Sequence, residues 1–180
     1  MPSFIKHRFL ASVVIGTLIV ALAIPKPEKM GDRLQYVLPI AGFVCSLDVK
    51  QAASVTTRYV AGFVSVHFLK NVLPSDGINM RPDGGSHGFP SGHTYAATFG
   101  ASYIARQCAS KIPYIGPIAA LGAGFTGASR VDAQKHNPFQ VFFGALFGLV
   151  FDRAFQSAES RSRRNALLKK LFNKFKFNTK

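Results

Sequence analysis

Six apolar runs, separated by short polar segments, limit the folds open to this chain more than any other feature of its sequence. They cover residues 9–24, 34–47, 59–69, 88–105, 112–129 and 139–151. A helix that spans a bilayer needs about 20 apolar residues, with about 17 as the lower limit, and several runs are shorter. We predict an all-α fold, a polytopic membrane bundle of about six transmembrane helices. A soluble helical bundle with a very apolar core is the alternative.

The charge of the chain indicates an anionic partner. Lys and Arg number 22 against 8 Asp and Glu, which gives a formal net charge of +14, while 48% of the residues are hydrophobic. This balance is typical of proteins that bind nucleic acid or a phospholipid surface. The apolar composition favours the phospholipid bilayer as partner. We expect no nucleic acid, because no recognised nucleic-acid-binding fold accompanies the basic residues.

The two ends of the chain set the predicted domain boundaries. Residues 1–155 are predicted to form the six-helix domain, and residues 156–180 a basic amphipathic cytoplasmic tail on the bilayer surface. Such a tail could equally be frayed and solvated. Residues 1–23 resemble a signal peptide, but Ile24 and Pro25 at the cleavage point favour an uncleaved first helix.

Basic residues also predict the orientation of the bundle. Counted with the tail, they place the N-terminus inside. The loops 70–92 and 130–138 then lie together on the outer face. We predict a multi-pass protein of a bacterial-type inner (cytoplasmic) membrane, with its active site facing the periplasm or the outside.

Three residues within the apolar segments are interpreted as structural. Cys45 and Cys108 lie in or beside apolar runs and form no CxxC pair. We interpret both as small buried residues. His67 lies in the third run without an acidic neighbour, and we expect it to pack in the core.

The two outer loops concentrate ionisable groups, which are usually functional at the ends of membrane helices. Arginine donors match the oxygens of a phosphate, and a helix that begins at Ser91 and Gly92 offers free N–H groups to an anion. The sequence therefore predicts a phosphate site. The basic side chains of these loops are Lys70, Arg81, His87, His93, Arg130, Lys135 and His136.

Two imidazoles beside a bound phosphate can divide the work of phosphoryl transfer. One attacks phosphorus and the other protonates the leaving oxygen, while the cations stabilise the charge without a metal. A zinc site on His87, His93 and His136 is the alternative. No Cys, Asp or Glu lies at ligand spacing, and the cations would repel the ion. We expect no metal and no cofactor.

Three short motifs resemble the type 2 phosphatidic acid phosphatase superfamily, which includes bacterial acid phosphatases and vanadium haloperoxidases. They are RP (81–82), PSGH (90–93) and SRVDAQKH (129–136). The family pattern is Lys, six residues, Arg-Pro; then Pro-Ser-Gly-His; then Ser-Arg, five residues, His, three residues, Asp. The resemblance covers roughly residues 70–140.

This resemblance implies a role for each residue that matches a motif. His136 would be the nucleophile that forms a phosphohistidine, and His93 would be the general acid for the leaving group. The phosphate would be held by Lys70, Arg81, Ser91, Gly92 and Arg130.

The chain departs from the family pattern at two positions. Ten residues separate Lys70 from Arg81 instead of six, so a loop insertion must restore the reach of Lys70. Gln140 stands where the family usually has Asp. Its amide oxygen can still accept the imidazole N–H of His136 and fix the tautomer, but it carries no charge. Asp132 is a candidate to supply that charge.

The predicted function is a metal-independent phosphatase that hydrolyses a phosphomonoester or diphosphate on a membrane lipid. A lipid phosphotransferase is the near alternative, because a phosphohistidine can pass its group to an acceptor other than water. A non-catalytic phospholipid-binding member of the same fold and a vanadate-dependent peroxidase are further alternatives.

Overall fold

The computed structural model describes residues 26–45, 49–109, 112 and 114–153, without the side chains of 49–51, and this part of the chain is helical and contains no strand. The all-α prediction is confirmed for these residues. The first apolar run, the signal-like residues 1–23 and the tail 156–180 lie outside them. The five helices are α1 (Pro27–Cys45), α2 (Val49–Val72), α3 (Gly92–Gln107), α4 (Ile115–Asp132) and α5 (Pro138–Arg153).

The apolar runs from the second to the sixth each fall on one helix, but the boundaries differ. Helix α1 begins at Pro27, upstream of the apolar run that starts at residue 34, and therefore includes the charged residues Glu28 and Asp32. Pro at the first turn of a helix has no N–H to leave unpaired. Among the described helices, none has the combination of length and hydropathy required of a membrane span.

The chain runs up and down, so that alternate helix ends meet at one end of the bundle. The starts of α1 and α3 meet there, because Asp32 pairs with His93. The end of α4 joins them through Arg130, which also pairs with Asp32. The start of α5 lies at the same end, because the Ser91 N–H donates to the Gln140 carbonyl oxygen. We call this the motif end, since all three sequence motifs lie there.

Helix α3 is the centre of the bundle and packs against α1, α4 and α5. Ser91 caps its start: the residue is extended, and its hydroxyl oxygen accepts the Thr94 N–H at 3.4 Å, which satisfies a donor that the helix cannot pair internally. Two apolar clusters flank α3, one around Leu34, Leu38 and Ile104, the other around Tyr95 and Phe99.

The far end of the bundle is fastened by a disulfide and a buried ion-pair network. Cys45 at the end of α1 is bonded to Cys108, which follows α3. Both cysteines are buried, as predicted, but their pairing was not predicted. Asp152 on α5 is fully buried and accepts from Ser102 Oγ at 2.6 Å and from Arg106 Nε at 2.9 Å. Arg58 on α2 donates to the backbone carbonyl oxygen of Asp152 and lies 3.6 Å from its carboxylate, so this one residue joins α2, α3 and α5.

Glycines allow the helices to approach α3 closely, and Gly100 makes the closest approach to backbone atoms of a neighbouring helix. A methyl group there would lie 2.8 Å from the Leu38 carbonyl oxygen of α1 and nearer still to the Pro39 backbone nitrogen. These are backbone atoms, which cannot move aside without shifting a helix. Gly124 on α4, by contrast, has no heavy atom within 4 Å of the position of an added methyl group.

We predict that Gly100→Ala destabilises the protein and that Gly124→Ala does not. Overpacking between two helix backbones costs about 1–3 kcal/mol, whereas Ala in an open helical position gains up to about 1 kcal/mol over Gly. Thermal unfolding of the two variants beside the parent measures the difference. Equal melting temperatures for both variants would contradict the tight contact between α1 and α3.

Candidate active site

A cavity of about 580 Å³ opens at the motif end, within the range of small-molecule sites. Six of the residues that line it were predicted as site residues, namely Lys70, Arg81, Gly92, His93, Arg130 and His136. The other lining residues are Glu28, Asp32, Gln35, Tyr36, Tyr59, Phe63, His67, Ala96 and Lys135. The structure thus brings residues from all three motifs to one cavity.

Lys70 reaches the cavity because a single asparagine folds up the inserted loop. Asn79 is buried, and its side-chain N–H groups donate to the Lys70 carbonyl oxygen at 3.0 Å and the Leu73 carbonyl oxygen at 3.2 Å. Its side-chain oxygen accepts the Phe89 N–H at 3.0 Å. The loop therefore folds back onto the end of α2, and the ten residues between Lys70 and Arg81 do not separate their side chains.

Two cations of the cavity lack a carboxylate partner among the described residues. Lys70 is buried, and its ammonium group donates to the His87 carbonyl oxygen at 2.6 Å. Burial, and then the nearby Arg81, lower the pKa of Lys70 to about 8. The Nε of Arg81 is buried and has no hydrogen-bond partner within the described part of the chain. Buried donors without partners are rare, so this pair is suited to bind an anion.

His136 has one ring nitrogen fixed by Gln140. Gln140 is completely buried, and its side-chain NH2 group donates to the carbonyl oxygens of Ile78 at 2.9 Å and Met80 at 2.8 Å. These two contacts fix which end of the amide is oxygen. That oxygen lies 3.2 Å from His136 Nδ1, so Nδ1 must carry the hydrogen. Neutral His136 then keeps its lone pair on Nε2.

The surroundings of His136 favour this neutral form. The residue is only 4% exposed. Burial lowers the pKa of His136 most, the charge of Lys70 lowers it further, and the pKa falls to about 4. The imidazole is therefore uncharged at neutral pH, with its one hydrogen on Nδ1. A neutral ring with a free Nε2 on a cation-lined cavity can act as a nucleophile.

His93 and Arg130 share one carboxylate. Asp32 Oδ1 lies 3.0 Å from His93 Nε2 and 2.7 Å from Arg130 Nη1. Burial lowers the pKa of His93 most and Arg130 lowers it further, while Asp32 opposes both effects. Asp32 thus keeps a proton on an imidazole that would otherwise lose it more readily. A second contact, from Arg130 Nη2 to the Glu28 carbonyl oxygen at 2.6 Å, holds the guanidinium group against α1.

Ser91 and Gly92 contribute differently to the site. Gly92 lines the cavity as the first residue of α3. Ser91 is buried, and its hydroxyl oxygen accepts from the Thr94 N–H and the Thr94 hydroxyl. In this structure Ser91 shapes the start of α3 rather than lining the cavity.

Two sequence interpretations, those of His67 and Asp132, differ from the structure. His67 is exposed and lines the cavity, so its assignment to the core was wrong. Asp132 is exposed, and the ring nitrogen that it was expected to stabilise is bonded to Gln140 instead. Lys135 pairs with Asp83 at 3.0 Å.

The positions of the described histidines do not support the zinc alternative. The imidazole of His87 is exposed and its Nδ1 lies 2.7 Å from Ser86 Oγ. Of the three histidines considered for zinc, only His93 and His136 line the cavity. In the same ranges, no group of three or more His, Cys, Asp or Glu side chains is arranged to hold a metal ion.

Sequence reasoning missed Asp32, the carboxylate at the centre of the site. It lies in EKMGDRLQ (28–35), upstream of the apolar run, and belongs to none of the three motifs. The available signal was the up-and-down order of the helices. Because alternate helices start at the same end, an acidic residue in the first turns of α1 must lie near the start of α3.

We predict that Gln140→Glu destabilises the protein by about 3 kcal/mol, because it buries a charge and loses two donors to the Ile78 and Met80 carbonyl oxygens. The same change at the exposed Gln134 is the control, expected to alter stability by less than about 0.5 kcal/mol. Chemical denaturation of both variants at neutral pH measures the free energies of unfolding. A similar loss in both would refute the role of the buried amide.

Comparison with known proteins gives one match. The model of the PAP2 superfamily matches residues 46–164, a range that includes all three motifs and the helices from α2 to α5. No curated protein and no solved structure matches the chain significantly. The match covers more than half of the chain, and it agrees with the resemblance carried by the motifs. The chain belongs to the PAP2 superfamily.

Proposed function

We propose that this protein hydrolyses a phosphomonoester or diphosphate on a membrane lipid through a phosphohistidine intermediate. Membership of the PAP2 superfamily supports phosphoester hydrolysis in general. The observation that carries the finer proposal is His136, whose Nδ1 is committed to Gln140 and whose ring lines the cationic cavity.

Phosphate binding follows from the charges around the cavity. Lys70 and Arg81 are the cations without a carboxylate, so they take the phosphoryl oxygens first. Arg130 joins them by exchanging its contact with Asp32 for one with the substrate. A guanidinium group offers parallel N–H donors that fit two phosphate oxygens. Because the site is partly buried, these contacts are stronger than they would be in water.

In the first chemical step, the Nε2 lone pair of His136 forms a bond to phosphorus while the bond from phosphorus to the ester oxygen breaks. His93 gives its proton to that oxygen, and the alcohol leaves. In the second step, neutral His93 takes a proton from water, the hydroxyl oxygen bonds to phosphorus, and the bond to His136 breaks. Inorganic phosphate leaves, and both imidazoles return to their starting states.

The cations supply the charge stabilisation that a metal would otherwise provide, which supports metal independence. Lys70, Arg81 and Arg130 carry three positive charges around the position of the phosphoryl group. Charge on its outer oxygens is the main feature that a phosphoryl-transfer site must stabilise.

The lipid part of the proposal rests on the remainder of the cavity and on composition. The cavity lining includes three aromatic side chains, Tyr36, Tyr59 and Phe63. Such a wall accommodates an apolar chain. We propose that the chain forms a six-helix bundle in a bacterial-type cytoplasmic membrane, with the motif end outside.

We predict that the enzyme, mixed with a phosphatidic acid labelled with ³²P on its phosphate, yields a labelled protein that is acid-labile and base-stable. His136→Ala should abolish the label and lower phosphate release by at least about a thousandfold, with unchanged helix content by circular dichroism. A chelator in the buffer should change neither result. Label retained in His136→Ala would exclude this nucleophile, and inhibition by the chelator would restore the metal alternative.

We predict an acidic optimum for kcat/KM, which reports the free enzyme. Activity requires neutral His136, so it is lost as pH falls through about 4. It also requires protonated His93, whose pKa lies below 6.5, so it is lost as pH rises through that lowered value. Asp32→Asn removes the group that raises the pKa of His93, and the basic limb should move to lower pH.

Asp132→Asn is the matched control for this profile, because it removes the same charge from an exposed residue that lies outside the cavity lining. We expect its pH profile of kcat/KM to match that of the parent. A basic limb that stays in place in Asp32→Asn would exclude His93 as the proton donor.

A further inference from the structure

His67 is a third imidazole of the cavity, and the phosphohistidine mechanism leaves it without a role. It lies on α2 three residues before Lys70, which places it about 4.5 Å from Lys70 along the helix axis, on the side away from the motif end. Its side chain is exposed and lines the cavity. An exposed histidine inside a cavity lined by substrate-binding groups is available to a ligand.

The hydrogen on the His67 ring is fixed by the backbone. His67 Nδ1 lies 2.9 Å from the Phe63 carbonyl oxygen. A carbonyl oxygen only accepts, so Nδ1 carries the hydrogen and the neutral ring keeps its lone pair on Nε2. Nε2 is thus an acceptor on the free edge of the ring.

Aromatic contacts hold the ring in place. The centroids of His67 and Phe63 lie 4.0 Å apart, and Phe63 stacks in turn on Tyr59 at 6.4 Å. Together with the backbone contact, this packing restricts the imidazole before any substrate arrives. A preorganised acceptor loses little conformational freedom on binding, so it contributes more to recognition than a mobile one.

The position of His67 points to the leaving group rather than to the phosphoryl group. The cations that suit the phosphoryl oxygens are Lys70, Arg81 and Arg130, at the motif end. The ring of His67 packs on Phe63, and Phe63 stacks on Tyr59, so the cavity wall that continues from His67 away from Lys70 is aromatic and carries no cation. Atoms of the alcohol next to the ester oxygen would occupy this part of the cavity.

We propose that His67 is a specificity-determining residue, whose Nε2 accepts a hydrogen bond from a free hydroxyl group beside the phosphorylated carbon of the substrate. This inference rests on the proposed function and narrows its substrate class. The preferred substrate is a lipid phosphate whose alcohol is a polyol. A substrate without that hydroxyl makes no hydrogen bond with Nε2 of His67 and is turned over more slowly.

The test compares two short-chain lipids in detergent with the parent protein, His67→Phe and His67→Gln. One lipid is phosphatidylglycerol phosphate, and the other is its deoxy analogue without the hydroxyl beside the phosphorylated carbon. We expect the parent to prefer the hydroxylated lipid by about tenfold in kcat/KM, the effect of one buried hydrogen bond. His67→Phe keeps the ring contact with Phe63 and should remove the preference by slowing only that lipid. His67→Gln restores an acceptor and should recover part of it.

Each outcome separates this inference from the proposed function. Equal kcat/KM values of the parent for both lipids, or an equal loss for both in His67→Phe, would overturn the role of His67 and leave the phosphatase intact. Hydrolysis of neither lipid by the parent protein would overturn the proposed function on these lipids, and the inference with it.

Discussion

The buried side chain of Gln140 is the contact on which the site depends. Its oxygen accepts from His136 Nδ1 and from the Asn137 N–H, while its NH2 group holds the Ile78 and Met80 carbonyl oxygens. One amide therefore joins the third motif to the loop that carries the first. The Gln140 backbone oxygen accepts from Ser91 and so includes the second motif. These contacts bring three distant segments of the chain together at one residue.

This arrangement gives a physical reason for the departure from the family pattern. An aspartate can accept the imidazole hydrogen, but it has no donor for the two carbonyl oxygens. The inserted loop after α2 brings those carbonyl oxygens over the amide, so a residue that both donates and accepts is required. A neutral amide also costs less to bury completely than a carboxylate does. The longer spacing after Lys70 and the glutamine at position 140 are thus linked, because the amide of Gln140 binds carbonyl oxygens of the inserted loop.

The sequence predicted the five described helices and six of the residues that line the cavity, because motif spacing and apolar runs are local signals. It could not predict Asp32, because this carboxylate acts through contacts with residues almost a hundred positions away. The same holds for the Cys45–Cys108 pair, which depends on two helix ends meeting. His67 was wrongly assigned to the core because apolar neighbours in the sequence are common both at core positions and in the walls of cavities. Periodicity alone does not distinguish these two surroundings.

The site carries its own counterion. Asp32 pairs with Arg130 and His93, so in the proposed mechanism the binding of a phosphate would exchange one anion for another at these two groups. The electrostatic gain comes mainly from Lys70 and Arg81. Because Asp32 already neutralises part of the positive charge, the phosphate would neutralise less charge than the number of cations around the cavity indicates. We therefore expect substrate affinity to depend less on ionic strength than it would without Asp32. The displaced carboxylate, whose side chain is 42% exposed, would face the solvent and pair with Arg130 and His93 again when phosphate leaves.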